Sequence, residues 1–166
     1  MNNYMVRLWA TWFTLGKAKK APGTIGTLGA IPLYLIFNGL RGVIGSERIY
    51  NSLYFVFLIG FFIFSVYISN IAEREIYRKK DPQEVVIDEV LGFMTTMFLI
   101  NPNGFWQTLF AVVLGFGIFR LLDITKPGPI NRAQDFKNGV GVVLDDFLAG
   151  VVGNLILAII VGSLWG

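Results

Sequence analysis

The 166-residue chain contains no cysteine and no histidine. The first absence removes disulfides, thiolate metal sites and any thiol nucleophile. The second removes the commonest general base, the commonest phosphoryl-accepting side chain and the commonest ligand of transition metals. Charge is sparse as well, with 15% of residues being Asp, Glu, Lys or Arg and a net charge of +3. No internal repeat or low-complexity tract is present. The first apolar stretch, "LWATWFTLG", is short, aromatic and without a small-residue cleavage pattern, so it does not read as a secretory signal. Any chemistry must therefore come from carboxylates, hydroxyls, Lys, Arg or a bound ion.

Apolar residues, by contrast, are abundant. They make up 54% of the chain, and the mean hydropathy is +0.61. Such a composition points to a membrane, and the length fits one domain, 1–166. Residues 1–16 are short and Trp-rich and predict an interfacial N-terminal helix. Residues 24–40 carry no charge and contain Pro32, a candidate kink. Residues 49–72 form the clearest span. Residues 85–100 are apolar but would reach only about 24 Å as a helix, short of a hydrocarbon core of about 30 Å. Two more segments, 105–124 and 140–166, are separated by the polar, Pro- and Gly-punctuated "TKPGPINRAQDFKNG". The expected fold is all-α, a multi-pass membrane bundle of about five long helices plus short interfacial ones.

Basic residues fall unevenly on the connections. One set carries Lys17, Lys19, Lys20, Arg74, Arg78, Lys79, Lys80, Arg120, Lys126, Arg132 and Lys137, with Arg7 expected to join it. The other carries Arg41 and Arg48. The excess of positive charge on the cytoplasmic side places the first set in the cytoplasm. The clusters "KAKK" and "YRKK" read as orientation signals that also favour an anionic lipid surface.

On that map the unusual acids share one face of the membrane. Asp88 and Glu89 open a departing helix, Asp123 closes a returning one, and Asp145 and Asp146 stand early in the last. Acids at a helix N-terminus are commonplace, since they favour the macrodipole. Here, however, Asp145–Asp146 follow a run of apolar or Gly residues. A Gly also stands four residues after an acid in both pairs (Asp88 to Gly92, Asp146 to Gly150), leaving room for a close neighbour. Acids gathered at one level repel unless a cation sits among them, and oxygen ligands without His or Cys suit Mg²⁺, Mn²⁺ or Ca²⁺. Arg120 and Asp123 could form a local i, i+3 ion pair, or Arg120 and Lys126 a clamp for an anion. Gly23 and Thr24 in "APGTIGT" could be a plain helix start with Thr24 as cap, or a place where backbone N–H groups meet a phosphate. No G-x-x-x-x-G-K-[ST] loop and no Asp-x-Asp nucleophile motif occurs.

Taken together, "PGTIGT", "IDEVLGF", "FRLLDITKPGPI" and "GVGVVLDDFLAG" resemble the four signature blocks of the phosphatidylglycerophosphatase A family, in the same order, over about residues 20–153. Thr27 stands where the family commonly has Ser, and Asn138 where it often has Gly. The resemblance implies a Mg²⁺-dependent phosphatase that converts phosphatidylglycerophosphate in the bilayer to phosphatidylglycerol, at the bacterial inner membrane with its site facing the cytoplasm. It also implies a site made of Asp88, Glu89, Asp123, Asp145 and Asp146 with Arg120 and Lys126. On this reading Asp88, Glu89, Asp145 and Asp146 hold Mg²⁺. Asp123 orients or deprotonates a water, Asp146 takes part in catalysis as a ligand, and Gly23, Thr24, Arg120 and Lys126 bind the phosphate. An aspartyl-phosphate intermediate stays open. No nucleic-acid partner is expected, and the oligomeric state is left open. The alternative is a membrane cation carrier or channel subunit, since buried carboxylates also mark ion pathways.

Overall fold

The computed structural model describes residues 2–133, 136 and 139–165. Lys137 and Asn138, which entered the charge pattern and the family blocks, lie outside the described residues. Among those described the regular structure is entirely helical: α1 (Asn3–Ala10), α2 (Pro22–Ile44), α3 (Glu47–Ile71), α4 (Ile87–Thr96), α5 (Gly104–Thr125), α6 (Pro129–Ala133) and α7 (Gly139–Trp165). A 3₁₀ turn precedes α2 at Leu15–Lys17, and a π-helical segment, Ala72–Tyr77, prolongs α3.

Local sequence explains the boundaries. Pro22 occupies the first turn of α2, where its missing N–H costs nothing, and Gly45 at φ 68° closes the helix. Ser46 caps α3 through the Ile49 N–H, with Glu47 in the first turn. α2 runs on through Pro32.

Among the described residues four helices are long and apolar enough to cross a membrane: Pro22–Ile44, Glu47–Tyr77, Gly104–Thr125 and Gly139–Trp165. Ile36, Val56, Ile63, Val113 and Ile159 on them are exposed, an outward apolar surface that lipid, not water, would accept. The fifth segment of the hydropathy reading folds differently. Only ten of its residues form α4, and α4 lies at the centre, packed by α2, α3, α5 and α7.

Ending a helix inside such a bundle exposes carbonyls that no water can satisfy. Neighbouring helices supply the donors. The Tyr54 hydroxyl on α3 donates to the Met94 carbonyl at 2.9 Å, and Asn154 Nδ2 on α7 donates to the carbonyls of Thr96 at 3.0 Å and Phe98 at 2.5 Å. Arg41 at the end of α2 donates to the Pro102 carbonyl at 2.6 Å. Residues 97–103 thus carry the chain onward to α5 with much of their backbone held by side chains.

α1 and the turn after it lie against α3 through aromatic rings, Trp9 edge-on to Phe64 at 5.5 Å and Trp12 tilted on Phe61 at 5.9 Å. The last residue of α1, Ala10, accepts the Val86 N–H at 2.8 Å, which fixes the backbone just before α4. The N-termini of α2, α4 and α7 and the C-terminus of α5 consequently converge at one end of the bundle.

Candidate active site

A close helix crossing creates the site. α4 and α7 meet at Gly92 and Gly150: a Cβ on Gly150 would lie 2.5 Å from the Gly92 carbonyl oxygen, so neither helix tolerates a side chain there. Thr96 Oγ1 donates to the Gly92 carbonyl at 3.0 Å and lies 3.4 Å from that of Gly150. Both helices run away from the site end. One turn back from the crossing, Asp88 and Asp146 must therefore stand side by side. The Asp-x-x-x-Gly spacing in the two sequence blocks is the cause of their meeting.

Around them lies a cavity of about 410 Å³ lined by Lys19, Ala21, Pro22, Gly23, Asp81, Gln83, Val85, Asp88, Glu89, Arg120, Asp123, Lys126, Val142, Asp145 and Asp146. Asp88, Asp123, Asp145 and Asp146 are buried at its floor, while Lys19, Asp81 and Gln83 are exposed at its mouth. Among the described residues six acids face three bases, an excess that the cavity must offset to hold any anion. Two unit charges 4 Å apart still repel by about 4 kcal/mol at an effective dielectric of 20.

Apart from Asp81 at the mouth, the acids divide into two groups. Asp123 Oδ2 accepts from Arg120 Nη1 at 2.5 Å, and Asp145 Oδ2 accepts from Lys126. Lys126 reaches its partner because it adopts a left-handed turn, φ 43°, at the end of α5, where its N–H still closes the helix on the Leu122 carbonyl. Burial disfavours the charged amine, but the hydrogen bond and charge of Asp145 more than offset it, so the Lys126 pKa is raised.

Asp88, Glu89 and Asp146 form the second group. One carboxylate oxygen from each lies within 4.8 Å of the others, and none is ion-paired to a base among the described residues. Among the described residues Asp88 Oδ1 accepts the neighbouring Glu89 N–H, at 3.1 Å, and Glu89 Oε2 is buried without a hydrogen-bond partner. Gly23 makes room for this group, since a Cβ there would sit 2.3 Å from Glu89 Oε1 and 3.2 Å from Arg120 Nη1. Three converging carboxylates with an unsatisfied buried oxygen fit a hard divalent cation.

The seven charged residues picked from sequence all line this one cavity, and Gly23 joins them. Asp145, expected with the metal-facing acids, is turned to Lys126, so the compact oxygen group holds three of the four. Thr24 is half-buried and does not line the cavity. It is not a cap either: the N-cap of α2 is Ala21, in a left-handed conformation, and Pro22 begins the helix. Lys19, Asp81 and Gln83 were missed. Lys19 lay hidden in a cluster that reads as an orientation signal, and Asp81-Pro82 reads as a helix stop.

An acid-floored cavity at one end of a bundle with four apolar, membrane-length helices among the described residues defines the class: a multi-pass membrane helical bundle with a charged cavity at one end. Residues 8–161 match the family model for phosphatidylglycerophosphatase A. The chain belongs to that family. The Escherichia coli K12 phosphatidylglycerophosphatase A is 33% identical over 159 residues, covering 95% of this chain and 84% of that protein. The Haemophilus influenzae phosphatidylglycerophosphatase A is 29% identical over 155 residues, covering 92% and 86%. A protein of Bacteroides thetaiotaomicron, provisionally named a phosphatidylinositol-3-phosphatase, is 31% identical over 164 residues, covering 95% and 94%. No solved structure matches the chain.

Proposed function

We propose that the chain is a Mg²⁺-dependent lipid phosphatase that hydrolyses phosphatidylglycerophosphate to phosphatidylglycerol and phosphate. The carrying observation is the set of Asp88, Glu89 and Asp146 oxygens within 4.8 Å at the end of a membrane-type bundle, with Arg120 and Lys126 beside them. Both lipids named for the relatives share a chemistry that such a cavity suits. Each has a terminal phosphomonoester three carbons from the diester phosphate that ties the head group to diacylglycerol.

In this mechanism Asp88, Glu89 and Asp146 hold the divalent cation. When bound, such an ion supplies Lewis acidity, with charge for the phosphoryl oxygens and a lowered pKa for water. Arg120 and Lys126 rest on Asp123 and Asp145, and a phosphomonoester competes for them with more charge and more acceptor oxygens. Arg120 Nε is buried with no partner, a donor already present for the incoming group. Transfer of Arg120 to the phosphate frees Asp123, which then orients a water or accepts its proton. The two cations also oppose the charge that develops on the leaving oxygen. The acyl chains stay in the bilayer, with the site facing the cytoplasm of a bacterial inner membrane.

The carrier alternative requires acids along a path through the membrane. The acids of this cavity crowd one end, while at the other end Arg41 is engaged with Pro102 and Asn103. The test is phosphate release from phosphatidylglycerophosphate in detergent micelles, with Mg²⁺ or with EDTA. Turnover that requires Mg²⁺ and is lost in Asp146→Asn is expected, and turnover indifferent to both would sink the proposal.

A further inference from the structure

The cavity continues past the residues that the mechanism uses. Its floor engages one phosphate, yet its mouth is lined by three polar residues without a role: Lys19, Asp81 and Gln83. Of the three cations in the cavity, Arg120 and Lys126 are tied to floor acids, whereas Lys19 is exposed and makes no ion pair among the described residues. We propose that Lys19 holds the diester phosphate of the substrate lipid, so that the cavity recognises two phosphates on one head group. This rests on the lipid-phosphatase reading above and specifies its substrate class.

The backbone around Lys19 argues against a loose surface lysine. Gly16 is pressed on the Glu84 carbonyl, where an added Cβ would lie 2.1 Å from the oxygen. Lys17 ends the 3₁₀ turn, Ala18 is extended, and Ala21 is held at φ 47° before Pro22 starts α2. The short strap that carries Lys19 is thus pinned at both ends. Lys17, Lys19 and Lys20 are all exposed, but only Lys19 lines the cavity. A purely orienting cluster gives no reason for that choice.

Asp81 lines the same cavity. Its N–H is fixed by Glu73 Oε1 at 2.7 Å, and its carboxylate repels an anion placed against it. Gln83 contributes a neutral amide. Among the described residues a second phosphate at the mouth therefore has one attractive partner of full charge, and Lys19 is that partner. Because the contact is remote from the cleaved bond and persists in ground and transition states alike, removing it should raise KM and leave kcat.

The experiment compares two lipids in Mg²⁺-containing micelles: phosphatidylglycerophosphate, with a monoester and a diester phosphate, and phosphatidate, with a monoester alone. Lys19→Ala should raise KM for the first about fivefold, the effect of one partly exposed charge contact, with kcat and the phosphatidate KM unmoved. Lys19→Arg should restore it, and Lys17→Ala and Lys20→Ala, which remove the same charge, should shift both lipids alike and weakly. A Lys19→Ala effect equal on both lipids, or no larger than that of Lys17→Ala, overturns the proposal. Calorimetry with glycerol 1,3-bisphosphate and glycerol 3-phosphate separates this from the parent reading. If neither lipid is hydrolysed but the bisphosphate binds more tightly in a Lys19-dependent way, the phosphatase reading fails and the two-phosphate site stands. If bisphosphate and monophosphate bind alike, the two-phosphate site fails whatever the turnover.

Discussion

At the scale of residues, the site depends on which carboxylates are left without a base. Lys126 engages Asp145 and Arg120 engages Asp123, so Asp88, Glu89 and Asp146 are the converging acids without a base among the described residues, and they are the ones to which the proposed mechanism gives the cation. Gly23 contributes by what it lacks. Its place beside Glu89 Oε1 means that Gly23→Ala must push aside the end of a flexible side chain and not a backbone. The fold should survive while Glu89 leaves its position. Disturbing a ligand's setting typically costs 10- to 100-fold in metal affinity. Gly23→Ala should therefore need at least about tenfold more Mg²⁺ for half-maximal activity, with a maximal rate that recovers substantially at saturation. A Mg²⁺ titration of phosphate release checks this, and an unshifted midpoint would take Glu89 out of the metal group. Breaking the other pair acts differently. Lys126→Ala leaves the buried Asp145 without its ammonium, so it should lower stability as well as activity. The double variant Lys126→Met, Asp145→Asn should recover the stability and not the activity, which thermal unfolding and turnover measured side by side would reveal.

At the scale of elements, α4 decides the architecture. That segment 85–100 is too short to cross as a helix was legible in its length. Its central position was not, because burial on all sides by four other helices is a tertiary fact that periodicity does not carry. The polar residues that close it were visible as letters and silent as signals: Asn154 and Tyr54 sit in apolar runs where nothing in one sequence names their partners. In the folded chain Asn154 serves two carbonyls at the broken end of α4. Asn154→Leu should strand both, costing about 1–2 kcal/mol by the usual worth of such bonds in membranes. Asn154 does not line the acid cavity, so the variant should melt a few degrees lower in detergent while keeping its Mg²⁺ midpoint. The Gly92–Gly150 crossing was legible in outline, since each glycine follows an acid by one turn. That the two glycines face each other needed the fold.

At the scale of the whole molecule, every charged residue expected in the site came together because the chain brings four helix ends to one end of the bundle. Order and charge alternation made that convergence readable. The mouth of the cavity was not readable, since Lys19 and Asp81 belong to irregular segments whose course is set by left-handed residues such as Ala21 and Asp81 itself. The cysteine-free chain permits a direct check of orientation: single cysteines at Lys80 and Asn103 should label from opposite sides of the membrane, Lys80 from the cytoplasm. The same convergence stores repulsion. Without metal, Asp88, Glu89 and Asp146 crowd together with no base among them, and the rest of the bundle must hold them there. Replacing Asp146 by Asn should therefore raise the melting temperature in EDTA while abolishing turnover. Asp145→Asn should not, because the repulsion it relieves at Asp88 and Asp146 is offset by the loss of the partner of Lys126. Mg²⁺ that binds only the folded protein should stabilise the wild type by about 2.7 kcal/mol at a hundredfold excess over its dissociation constant. The gain should shrink in Asp146→Asn and persist, at least in part, in Asp145→Asn. Thermal unfolding of the three proteins in detergent, each with EDTA and with Mg²⁺, measures all of these shifts. If Asp145→Asn is the variant that gains stability in EDTA and loses the Mg²⁺ response, the cation sits on Asp145 and the division of the acids drawn here is reversed.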